Sequence, residues 1–159
     1  MTTSTMEKLS HAEANASSWA ETIVTAWEAA RFCADQGQGR YLTREAKALL
    51  KELGYDGTNH EQVLEAIEEQ TRERPLAVDV RSGWHTPGEA GEATEYQILL
   101  STGGPALRIV GELSDGEAIS ACLQHQDWGT PWIDYVPADT RGRLWEALAW
   151  FAGCFWFGE

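Results

Sequence analysis

The stretch "EYQILLSTGGPALRIVGELSDGEAISACLQHQ", residues 95–126, decides the fold. Apolar and polar side chains alternate along it with a period of two, the spacing of a strand with one covered face. Tyr96, Ile98 and Leu100 share one face of its first segment, and Leu107, Ile109 and Leu113 one face of the second. Ile119, Ala121, Leu123 and His125 share one face of the third. The connections are Thr102-Gly103-Gly104-Pro105 and Ser114-Asp115-Gly116. Links this short cannot make parallel crossovers, so the strands form an antiparallel meander.

Working outward, "LAVDVRS" at 76–82 places Leu76, Val78 and Val80 on one side and predicts a further strand. Upstream the period changes to that of helices. Ser18 with Glu21 reads as a capping box opening a helix over 18–34, with Trp19, Ile23, Trp27 and Ala30 inward. Thr43 caps a second helix over 44–53, closed by Gly54, and Asn59 with Gln62 opens a third over roughly 60–72. Downstream, a last helix is expected from Asp139 or Thr140 to Ala152, with Leu144, Leu148 and Phe151 inward and Trp145 alongside. "CFWFG" then reads as an extended tail. The expected fold is α+β: a four- to five-stranded antiparallel sheet, helices packed on one side, and an N-terminal helical segment. Residues 1–17 read as a flexible N-terminus and 18–74 as a helical region with a hairpin insert near 40–72. Residues 75–159 carry the sheet and the last helix, all in one compact domain.

The chain has 159 residues, 25 acids against 12 bases, and a formal charge of −13. From Ser82 to Thr140 nine acids face a single base, Arg108. Such a surface repels nucleic-acid phosphates and suits a basic partner. Eight tryptophans add a large aromatic area for a core or a docking face. Three cysteines, Cys33, Cys122 and Cys154, make no disulfide framework and fit a reduced cytoplasm. The N-terminus has no secretory apolar run, and the longest apolar stretch, 144–157, is too short to span a bilayer.

No reaction motif is complete. His125 and Asp127 could pair as an acid and base, yet His125 lies on the apolar face. Cys122 and His125, three apart, point to opposite faces and lack further zinc ligands. "STGGPA" at 101–106 lacks the Gly-Lys-Ser/Thr of a P-loop. As a DNA-reading helix, 60–72 would bring Glu61, Glu65, Glu68 and Glu69 against phosphate. No catalytic residue, cofactor or metal is expected. "RSGWHTPGE" at 81–89 and "QDWGTPW" at 126–132 echo one another: each holds a tryptophan beside Thr-Pro, glycine and an acid. Stiff turns carrying aromatic side chains are what binding hot spots use.

"NASSWAETIV", "VRSGWHTPGE", "ILLSTGGPALRIVGEL", "QDWGTPW" and "FWFGE" resemble strings in small acidic proteins of bacteriophages and prophages, over residues 15–30 and nearly all of 76–159. Residues 35–62 depart from the shorter members. The resemblance implies an inhibitor of a nucleic-acid-targeting bacterial defence, of anti-CRISPR type, acting in the host cytoplasm. Its partner would be a CRISPR effector or restriction enzyme with a basic surface, with no direct contact to nucleic acid or membrane. Trp84, Trp128 and Trp132 are the expected anchors, and Glu89, Glu112, Glu117, Asp127 and Asp134 the expected charges, in one outward patch. Two alternatives stand beside it: a small-molecule binder or enzyme using His85, His125 and Asp127, and an accessory phage protein that self-associates through its aromatic surface, as a homodimer burying Trp128 and Trp132 would.

Overall fold

The computed structural model describes residues 10–38, 41–103, 105–137 and 142–158. Among them are four helices and six strands: α1 (His11–Ala34), α2 (Arg44–Glu52), α3 (His60–Glu73), β1 (Ala77–Ser82), β2 (Ala93–Ser101), β3 (Ala106–Ser114), β4 (Glu117–Ala118), β5 (Cys122–Gln126), β6 (Ile133–Asp134) and α4 (Arg143–Gly153). The fold is α+β, as the alternation predicts.

The first helix begins seven residues before the expected start at Ser18. Ser10 caps it, its hydroxyl accepting from the Glu13 amide at 3.1 Å. Residues 11–17 are therefore helix, not a flexible N-terminus. The added turns bury Ala12 and Ala16 in line with Ala20, an inner stripe of methyl groups too small to register as apolar periodicity.

Thr43 caps α2 as expected, its hydroxyl accepting from Ala46 at 3.2 Å. At the far end the Gly54 amide bonds to Lys51 and the Tyr55 amide to Leu50. With Gly54 at φ +80°, this is the Schellman closure that a glycine permits. Asn59 sits at the α3 N-cap but makes no cap bond. Its amide side chain turns back, accepting from the Asp56 amide and donating to the Gly54 carbonyl. Asp56 accepts from Thr58 and Asn59 instead, and those bonds hold its carboxyl below the usual range.

The sheet runs β1-β2-β3-β5-β6, antiparallel throughout, with β4 pairing the end of β3. Its helix side buries Tyr96, Ile98, Leu100, Leu107, Ile109 and Leu123 against Ile23 and Trp27 of α1 and Leu144, Leu148 and Phe151 of α4. Each such side chain contributes about 1.5–3 kcal/mol relative to exposure. Trp145, expected alongside that stripe, is exposed. A second cluster, with Ala29, Cys33, Leu50, Val63 and Ile67, fastens α2 and α3 onto the far half of α1. Glu28 ties the layers together: it pairs with Arg143 of α4 and accepts from the Thr43 hydroxyl at 2.7 Å. The C-terminal segment packs too, with Phe157 buried against Tyr96 at 4.6 Å and its amide on the Gly116 carbonyl.

Three expectations about strands are corrected. The strand expected over 118–126 is not one strand but two, β4 and β5, broken at 119–121, and Ile119 is exposed. The break brings the Ser120 carbonyl over β3, where the Tyr96 hydroxyl donates to it at 2.6 Å. A Cβ on Gly111 would stand 2.0 Å from that oxygen, so this approach needs glycine. Asp115 and Gly116, both at positive φ, make the two-residue turn between β3 and β4. The second correction concerns β1. Leu76, Val78 and Val80 alternate as predicted, yet all three are exposed. The count also rises from four or five strands to six, because β4 and β6 are two-residue pairings too short to show a period. The expected helix start at Asp139 or Thr140 lies outside the described residues.

Candidate functional surfaces

The helices cover one side of the sheet and leave the other open. Register places Leu99, Arg108, Gln124 and Asp134 in one row of that open face, and Asp79, Gln97, Val110 and Cys122 in the next. These side chains form a lattice. Arg108 donates through Nε to Gln124 Oε1 at 2.9 Å and through a terminal nitrogen to Gln97 Oε1 at 2.6 Å. Its guanidinium lies over the Trp132 ring, 4.1 Å from the centroid, a cation–π contact. Gln124 in turn donates to Asp134 Oδ1 at 2.9 Å, which holds that carboxyl below its ordinary range. Next to it, burial and then the Asp134 carboxylate push the Cys122 thiol up to about 11. At the β1 side, Arg81 Nε donates to Glu95 Oε2 and lowers the Glu95 carboxyl. A shallow trough of about 420 Å³ runs between these groups.

The expected single patch is divided. Successive connections of a meander alternate between the ends of the sheet. The β1–β2 loop, with Trp84 and Glu89, therefore lies at the end where Glu95 faces Glu112. The β5–β6 turn, with Asp127 and Trp128, lies at the end where Ala106 faces Gln126. From Ala106 to Glu112 is roughly 20 Å along β3. Trp84 at 106% and Trp128 at 81% of full exposure are both free, but on opposite ends. Trp132 is half-buried beneath Arg108, an anchor already engaged within its own chain. Asp127 accepts from Thr130 through its backbone carbonyl, and its amide donates to the Thr130 hydroxyl, so that turn is internally braced. Asp134 belongs to the open-face lattice. Glu89, Glu112 and Glu117 remain together at the first end, and exposed Glu92 and Asp115 join them there.

The histidine constellation does not assemble. His85 is exposed in the β1–β2 loop, its Nδ1 3.2 Å from the Gly83 carbonyl. His125 is buried on the helix side, edge-on to Tyr135. Asp127 opens the turn at the other end, so no single cleft holds all three. Among the described residues no group of three or more His, Cys, Asp or Glu side chains is placed to hold a metal ion. No helix among them is long and apolar enough to cross a membrane.

Sequence reasoning missed the Arg108–Trp132 contact, which joins β3 to the β5–β6 connection. It also missed Glu92 and Asp115, although alternating loop ends follow from the meander itself. Comparison with protein-family models, with curated proteins and with solved structures yields no match to the chain.

Proposed function

We propose that the protein is an acidic binding protein that occupies a basic, nucleic-acid-binding surface of another protein, as an inhibitor of a nucleic-acid-targeting bacterial defence would. One observation carries the reading: Glu89, Glu92, Glu112, Asp115 and Glu117 are all exposed at one end of the sheet. The cation nearest them in the sheet, Arg81, is already held by Glu95. Such a concentration of like charge carries a self-repulsion that a cationic groove relieves, and it steers encounter with that groove. The reading rests on this end alone. Asp127, Trp128, Trp132 and Asp134 leave the proposed contact.

The test uses a purified CRISPR effector or restriction enzyme and its nucleic acid in a competition assay. The wild-type chain is expected to displace the nucleic acid and to lose affinity as salt rises, since exposed charges are screened within about 8 Å at physiological ionic strength. Glu112→Lys with Glu117→Lys is expected to abolish displacement without unfolding the chain. No displacement of any such effector, or displacement equally strong at high salt, overturns the reading.

A further inference from the structure

We infer that β1 is the contact strand of a homodimer, pairing antiparallel with β1 of a second copy about a twofold axis at Val80. β1 closes one side of the sheet, and five of its six residues are exposed. An edge of this kind offers backbone donors and acceptors to another strand. The helix-side row of β1 is apolar and uncovered, with Val78 41% and Val80 48% exposed, and Leu76 just before the strand is 60% exposed. Their neighbours in β2 on the same side, Ile98 and Tyr96, are sealed. The core row therefore continues onto β1 with nothing among the described residues to cover it.

The order of side chains names the occupant. With Val80 facing its own counterpart, Asp79 of each copy faces Arg81 of the other, whose guanidinium Glu95 engages through Nε in its own copy, giving two opposite-charge cross-strand pairs on the open face. A register centred on Asp79 or on Arg81 would instead set like charges together. The Val80 register also keeps both helix layers on one side of the joined sheet. On that side it brings Val78 to Ser82 and Leu76 toward Trp84, which is fully exposed in its own copy. Arg74, just beyond α3, comes toward the acidic β1–β2 loop of the other copy. A contact that repeats on itself in this way is the isologous arrangement a closed dimer requires. It does not depend on the basic-partner reading, and it gives Trp84 a different task.

Sedimentation velocity on the full chain tests the inference. A 17.6 kDa species in equilibrium with one of twice that mass is expected, the heavier gaining with concentration. Asp79→Arg and Arg81→Asp should each be monomeric alone. Mixed in equal amounts they should re-form the dimer, because each then offers the other opposite charges along β1. Trp84→Ala removes a side chain that packs on nothing in its own copy, so the fold survives and the dimer should weaken about tenfold or more. A wild-type chain that stays monomeric into the hundreds of micromolar overturns the inference. So does a dimer indifferent to all three substitutions, or a mixture of the two charge variants that fails to associate.

Discussion

β1 and β3 carry the same signal and meet opposite fates. Each alternates aliphatic with polar side chains, and each sets its aliphatic row toward the helix layer. In β3, Leu107 and Ile109 are wholly buried, whereas in β1 Val78 and Val80 stand 41% and 48% exposed. The difference is position. β3 lies between β2 and β5 beneath α1 and α4, while β1 closes the sheet beyond the reach of the helices. Alternation reports which side chains share a face. It does not report whether anything covers that face.

Substitutions can break or sharpen this contrast. Ile109→Ala should cost about 2–5 kcal/mol, a lost aliphatic contact plus the cavity left behind, read from chemical denaturation. If β3 tolerated it as a surface strand does, the contrast would fail. Gly111→Ala should cost about 1–3 kcal/mol, near the upper end because the atom in the way is a backbone oxygen. It should also shift the Tyr96–Ser120 bond, visible in the tyrosine hydroxyl environment by NMR. Val78→Ala, assayed at low concentration where copies are apart, should stay within about 0.5 kcal/mol of wild type. A loss matching that of Ile109→Ala would mean that β1 is covered after all.

The smallest effect concerns the open face beside β3. The Cys122 thiol is pushed up to about 11, chiefly by burial. A raised value leaves the protonated thiol dominant at neutral pH, so alkylation there should run about a hundredfold slower than for an unperturbed thiol. The rate should rise about tenfold per pH unit and level off only near pH 11. Rapid labelling of Cys122 at pH 7 would show that the open face is looser than the Gln124–Asp134 lattice implies.

Much of this architecture was legible because its signals are local. The period-two runs at 95–113, the Thr43 cap and Gly54 at the end of α2 each act within a few residues, and the structure keeps them. The start of α1 was hidden because Ala12 and Ala16 bury a helix face without strong hydrophobicity. The break at 119–121 was hidden because it depends on Gly111 and Tyr96, which lie on neighbouring strands. Site reading failed for a related reason. The echo between residues 81–89 and 126–132 suggested one patch, but similarity of turns says nothing of where a meander puts them. Arg108 looked like a lone base in an acidic half; its partners Gln97 and Gln124 arrive from other strands and Trp132 from the β5–β6 connection. The carboxylates that remain together are those whose loops share one end of the sheet.

The contrast between β1 and β3 is tested most directly by amide hydrogen exchange, followed strand by strand at low and high protein concentration. Amides of β3 should exchange at the rate of global unfolding in both samples. Those amides of residues 77–82 that point away from β2 should exchange quickly in dilute solution and become protected as concentration rises and a second copy takes the edge. Protection of β1 equal to that of β3 in dilute solution, or β1 exchange unchanged by concentration, would contradict the account.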